Sequence, residues 1–381
     1  MTLDLARDTI FVTLAGSQAH GTARAGSDVD LRGVCVAPLE LRVSPFRDFE
    51  QFEGALEGPL WAAVEPRIHE HPTARFGVGI KTEAVVFDVA KFLRLCATAN
   101  PNALEILFAD ERDWVYVTPA WRRIHRERKR FLSREVQQTY LGYALSQLKR
   151  IRTHRSWLLS PPERKPSRAD FGLPDASTLS RDDRDRLERS IAERVRSYGI
   201  ADIELPEAAR TALEERLSAF WLDRELAGDP APDDRLRSVA ARALKLPDDV
   251  AATLEAERKY RAALKQWGAY EAWKRERNPA RADLERRFGY DTKHAMHLVR
   301  LMRTGLEILS TGELSVRRAD AAELVDIREG ALTFDALEAL AHRLELEMRE
   351  ALRVTSLPAN IDHGFVEALA VEVILSGHER R

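Results

Sequence analysis

The chain has 381 residues, 44% of them hydrophobic, which is enough for two domains with a core each and excludes a single small module. A formal charge of −2 excludes a uniformly basic nucleic-acid coat, so any basic face has to be local. Two cysteines, Cys35 and Cys96, lack neighbours at metal-ligand or redox spacing and exclude a disulfide framework or a zinc cluster of the usual spacing.

The opening MTLDLARDT has no basic segment followed by an apolar one, and no apolar run approaches the roughly 20 residues that cross a bilayer. The expectation is a soluble cytoplasmic protein. TIFVTLA (9–15) reads as a strand running into Gly16, and VDLRGVCV (29–36) as a second. Residues 44–79, with scattered Pro and Gly, read as a long irregular stretch. A third strand, IKTEAVVFD (80–88), leads into the amphipathic helix VAKFLRLCATA. From about residue 131 strand-like runs vanish and Leu, Ala, Arg and Glu recur at helical spacing. Breaks stand at 160–175, 227–234 and 277–280, and the charged stretch 182–196 reads as a solvated helix face. The division expected is a domain over 1–130 and a helical domain over 131–381.

The chemistry concentrates in AGSQAHGTARAGSDVDLRG (15–33). Asp28 and Asp30, two apart at a strand, point to the same face. Like charges side by side repel, and a divalent cation between them explains the pair. Gly16 permits close backbone approach, Ser17 offers a hydroxyl, and a short helical turn near Gln18 would aim N–H groups at a phosphate. The spacing is neither a Walker loop nor the dinucleotide fingerprint.

A strand, Gly-Ser, about ten residues and then Asp-apolar-Asp-apolar resembles the signature of the DNA polymerase β nucleotidyltransferase superfamily. That resemblance implies an NTP such as ATP held at Gly16, Ser17 and Ser27, two magnesium ions (or manganese) held by Asp28 and Asp30, and a third carboxylate on a neighbouring strand. The candidates are Glu83 and Asp88, which face opposite sides of the third strand. Asp88 is placed to cap the following helix, so Glu83 is favoured as third ligand and as acceptor of the nucleophile's proton. In the family this position is more often Asp. The expected chemistry is in-line displacement at the α-phosphorus with loss of pyrophosphate.

Further stretches narrow the likeness: DFEQFEG (48–54), KFLRLCATANPNALEILF (91–108), LGYALSQLKRIRTHRSWLLSPPERKPSRADFGLP (141–174) and FGYDTKHAMHLVRLMRTGLEILSTGEL (288–314). Together they resemble the RNA-ligase-associated group of that superfamily, over most of the chain and least between 176 and 280. The group implies an α+β fold: a minimal nucleotidyltransferase domain, with a mixed or antiparallel sheet and flanking helices, followed by helices. It also implies a part in RNA end repair beside an RNA ligase.

Residues 129–168 hold ten Lys or Arg (Lys129, Arg130, Arg134, Lys149, Arg150, Arg152, Arg155, Arg164, Lys165, Arg168) against Glu135 and Glu163, a local +8. This is the footprint of a phosphate-binding surface. The stripe Leu141, Ala144, Leu145, Leu148 continues at Arg152 and Arg155, which suggests a helix that packs for several turns and then enters a cleft. Lys149, Arg152, Arg155 and Arg168 are the RNA-binding candidates, with Trp157 near enough to stack. In HAMH, His294 and His297 share a face with Leu298 and Leu301 and read as hydrogen-bonded, partly buried residues; a zinc pair would want a third ligand, and none is evident nearby. Lys293 and Arg300 share an adjacent face and are candidates for the triphosphate or the acceptor.

The reaction expected is transfer of a nucleoside monophosphate from an NTP to a hydroxyl, on a tRNA or a damaged RNA end. A protein or small-molecule acceptor is the alternative, and an inactive nucleotide- or RNA-binding partner of a repair complex a further one.

Overall fold

The computed structural model describes residues 3–24, 26–72, 82–175, 248–277 and 279–378, with 182, 186, 189 and 190. By internal packing the chain divides into two compact units, one of residues 1–160 with 278–381 and one of residues 161–277. The boundary expected at residue 130 is not where the packing parts, because the last helices of the chain pack with the first 160 residues.

The first unit opens with α1 (Leu5–Asp8) and β1 (Thr9–Leu14), then α2 (Gly16–His20), β2 (Val29–Cys35), α3 (Leu39–Arg42) and β3 (Gln51–Gly54). There follow α4 (Gly58–Glu70), β4 (Thr82–Asp88), α5 (Val89–Ala97), α6 (Pro101–Leu107), β5 (Trp114–Val117), α7 (Pro119–Arg126) and α8 (Glu135–Leu159). Among the described residues the strands form one mixed sheet in the order β3-β4-β2-β1-β5, with β2 and β4 parallel and the other pairs antiparallel. The three expected strands and the helix after the third are present.

The irregular stretch expected over 44–79 is corrected. It contains β3 and the thirteen-residue α4. Pro59 stands in the first turn, where its missing N–H costs nothing, and Leu60, Val64 and Ile68 recur every fourth residue on a buried stripe. That stripe joins Val12, Leu14, Val29, Leu31, Ala84, Val86 and Val115 in one core. On β1 the intervening Phe11 stacks on Trp121 of α7 with ring centroids 3.8 Å apart. β1 is buried throughout, as a central strand covered on both faces should be.

The first unit resumes with α10 (Pro279–Phe288), α11 (Thr292–Thr311), α12 (Ala321–Arg328), α13 (Phe334–Val354) and α14 (His363–His378). α11 packs along α8, α12 and α13, while α14 lies on α5 and α7. In the second unit a 3-10 turn, Arg168–Phe171, is closed by a capping box between Ser167 and Asp170. It packs on α9 (Asp248–Glu276), where Arg168 pairs with the buried Glu257. The break at 227–234 and most of the stretch 182–196 lie outside the described residues. No helix among the described residues is long and apolar enough to cross a membrane, and both cysteines are buried as free thiols.

Candidate active site

β1 delivers the chain to a sharp turn at Gly16, whose φ of +58° opens α2. A Cβ at this position would run into Asp30 Oδ2, so the missing side chain leaves room for a carboxylate against the start of α2. The backbone ties the two segments together: Ala15 N–H donates to Asp30 O at 2.9 Å. α2 then carries half-buried Ser17 and ends at Gly21, left-handed at φ +76°.

Asp30 lies in β2 and Asp28 is exposed just ahead of that strand. Ser27 closes the intervening turn, its hydroxyl accepting the Arg24 N–H at 2.9 Å. The parallel ladder sets Asp30 directly beside Glu83 of β4, and cross-strand partners share a face. Glu83 is exposed, with half-buried Val85 and Phe87 further along its face. At the solvent-facing start of these strands the acid keeps its charge without the cost of burial.

Asp88 sits at the other end of β4 and is only 4% exposed. It accepts hydrogen bonds from Ala90 N at 2.9 Å and Ala37 N at 3.2 Å and pairs with Arg42, so it caps α5 and pins α3. Asp28, Asp30 and Glu83 thus offer hard oxygen donors near one end of two adjacent strands. That donor set, with the room left at Gly16, fits divalent cations that prefer oxygen.

α2 is clamped from the far end of the sequence. His20 Nε2 lies 3.0 Å from Glu105 Oε2 on α6, and the other oxygen of Glu105 pairs with Arg300 of α11. Burial pushes Glu105 up, but the charge of Arg300 and the contacts with His20 outweigh it and hold the carboxyl well below the usual range. His20 is pushed down, by burial first and then by Arg300. The arrangement is therefore an Arg300–Glu105 ion pair with a neutral His20 donating into it. Arg317 adds hydrogen bonds to Gln18 O at 3.3 Å and to buried Asp113 at 3.1 Å, and Arg318 N–H donates to His20 O at 3.1 Å. The signal for His20 and Glu105 in the sequence is a polar residue amid apolar helix positions.

The expected basic surface is largely consumed by packing. Arg152 Nε donates to Glu338 on α13 at 2.8 Å. Arg155 donates to Gly289 O at 2.9 Å and lies over the Phe334 ring. The α8 stripe therefore continues against neighbouring helices instead of opening into a cleft, and Trp157 stacks on His154. Lys149 is exposed and enters no ion pair among the described residues. Lys293 is half-buried, whereas Arg300, 5% exposed, faces inward. His294 is buried beside Arg150, and burial with the nearby charge of Arg300 pushes His297 down to about 3.

A strand, a glycine-opened helical turn and an acid-bearing strand paired in parallel with a second acid make up the arrangement expected of a polymerase β-like nucleotidyltransferase fold. Residues 5–158 match the model of the RNA repair pathway DNA polymerase beta family, so this segment of the chain is similar to that family. Neither the curated proteins nor the solved structures give a match.

Proposed function

We propose that the protein is a metal-dependent nucleotidyltransferase that moves a nucleoside monophosphate from an NTP to a hydroxyl on an RNA end and releases pyrophosphate. The observation that carries this reading is the pairing of Asp30 with Glu83 at a point where Gly16 leaves space against the Asp30 carboxylate. Magnesium, or manganese in its place, held in two positions by Asp28, Asp30 and Glu83, would supply acidification of the attacking hydroxyl and charge neutralisation at the α-phosphorus. Ser17 and the first N–H groups of α2 hold the phosphates, with Ser27 shaping the loop that presents Asp28. Glu83 accepts the proton of the nucleophile. Lys149, exposed on α8, and Lys293, half-buried on α11, are candidates to meet an acceptor strand or triphosphate, and an RNA ligase is the partner that would seal the repaired end.

The engagement of Arg152, Arg155 and Arg168 within the fold favours a second reading, in which the acceptor is a protein or small-molecule hydroxyl. One experiment addresses both. Labelled NTPs with magnesium are offered to tRNA, nicked RNA and the protein itself, and the species that takes up label is the acceptor. Asp30→Asn should abolish uptake with the thermal midpoint unchanged or raised; full activity in that variant would overturn the assignment.

A further inference from the structure

Outside the acidic end of the sheet, the first unit gathers a second set of metal-ligating side chains. His154 of α8, Glu285 of α10 and Asp291, the N-cap of α11, each offer a ligand atom within 4.8 Å of the other two. Glu285 and Asp291 are only 2% and 3% exposed. We propose that His154, Glu285 and Asp291 bind one transition-metal dication, with zinc the best fit, as a structural site separate from Asp28, Asp30 and Glu83.

The donor chemistry selects the ion. One imidazole nitrogen with two carboxylate oxygens suits zinc and its neighbours, whereas magnesium and calcium take oxygen ligands. Zinc bonds of about 2.0–2.2 Å place their ligands some 3–4 Å apart, so the set closes on an ion by small side-chain adjustments, with a water completing the tetrahedron.

Asp291 is also aimed from behind. Its Oδ1 accepts the His294 N–H at 3.0 Å. Its Oδ2 lies 3.3 Å from Nδ1 of His294, a buried nitrogen outside hydrogen-bonding geometry with any group. Arg150, which can only donate, stands 3.3 Å from the other ring nitrogen, so the proton of His294 sits on Nδ1 and faces the Asp291 carboxylate. Such outer contacts orient ligating carboxylates in metal sites. His154 is steadied by stacking on Trp157, with ring centroids 5.4 Å apart.

The position gives the ion a task. His154 lies close to Ser160, where the first stretch of this unit ends, and Glu285 and Asp291 follow soon after the unit resumes at Asn278. An ion here cross-links the last turns of α8 to the end of α10 and the start of α11, and its binding energy adds to the stability of the unit.

The test uses the full chain with Asp28→Asn and Asp30→Asn, so that the acidic end of the sheet does not compete. The chelator-stripped protein is titrated with zinc against a chromophoric competitor, and with cobalt(II) read by visible absorption. One equivalent of zinc and a rise in thermal midpoint are expected, with His154→Gln and Glu285→Gln each weakening zinc by about tenfold or more. His154→Cys keeps a zinc ligand in place and should add a thiolate-to-cobalt charge-transfer band, a signature that a misfolded or merely packed residue does not give. The proposal is overturned if the stripped protein takes up no stoichiometric zinc, if its affinity survives the glutamine substitutions, or if the cysteine variant shows no thiolate band.

Discussion

At the scale of single residues, the candidate site depends on an atom that is missing. Alanine at Gly16 would take a strained left-handed conformation and displace the Asp30 carboxylate. The backbone strain costs roughly 1–2 kcal/mol, but the displaced carboxylate should cost about a hundredfold in nucleotide transfer, since a 1 Å misplacement of a reacting group is worth that much. Steady-state kinetics beside a thermal melt separate the two effects. The two acids of β4 should behave in opposite ways. Glu83→Gln should abolish transfer with little change in stability, while Glu83→Asp, the residue more usual in the family, retains part of the activity. Asp88→Asn should spare the chemistry and destabilise the fold by about 2–4 kcal/mol, because it weakens a helix cap and a buried ion pair together. Loss of transfer in a folded Asp88→Asn protein would return the third-ligand role to Asp88. Sequence spacing alone separated these residues by face, and the parallel register then shows which face carries Asp30.

At the scale of elements, α2 is too short to hold its own geometry, and it is held by α6 about 80 residues later and by the α11–α12 connection about 300 residues later. The clamp centres on Glu105. Glu105→Gln leaves Arg300 buried without its counter-charge, which should cost about 3 kcal/mol and raise the KM for NTP more than it lowers kcat, because it loosens the phosphate-holding turn without touching the acids. An unchanged KM would mean that α2 keeps its position unaided. Beyond a polar residue amid apolar helix positions, the sequence carried no sign of this clamp. Arg300 reads as a candidate for the triphosphate or the acceptor because an amphipathic pattern assumes one buried face, whereas α11 is buried against α8, α12 and α13 and meets α6 through Glu105. β1 and β4 were legible from their β-branched and aromatic runs, and β2 from the alternation of Val29 and Leu31 with Asp30 and Arg32. β3 and β5 are four residues each, below the length at which alternation shows, and α4 was hidden by Pro59 and Pro66 although its apolar residues keep a regular four-residue spacing.

At the scale of the whole molecule, charge in sequence and charge at the surface differ. The +8 of residues 129–168 is met in the fold by acids from the returning helices and their connections, as Lys129 meets Glu313, Arg130 meets Asp362 and Arg152 meets Glu338. Lys149→Glu should therefore reduce RNA retention at low salt and flatten its salt dependence, by about one unit of slope for one lost phosphate contact. Arg152→Glu should act mainly on stability. The same buried network fixes how the protein answers to acid. Burial holds three imidazoles neutral, with His125 pushed down to about 4, His297 to about 3 and His20 lowered by burial and by Arg300. An unfolded chain binds these protons near the ordinary value of 6.5, and the folded one does not. Their stabilising contribution is therefore complete above that pH and drains away as the pH falls towards the folded values. At pH 5 each histidine whose folded pKa lies well below 5 should have cost up to about 2 kcal/mol. Glu105, also depressed, adds its loss only below its ordinary value of 4.5. The thermal midpoint of this unit should drop by about 5 °C or more between pH 7 and pH 5, and His297→Gln, which has no proton to gain, should make the decline shallower. A midpoint independent of pH over that interval would show that the imidazoles are already charged in the fold, and with them the assignment of His20 as a neutral donor to Glu105 would fail.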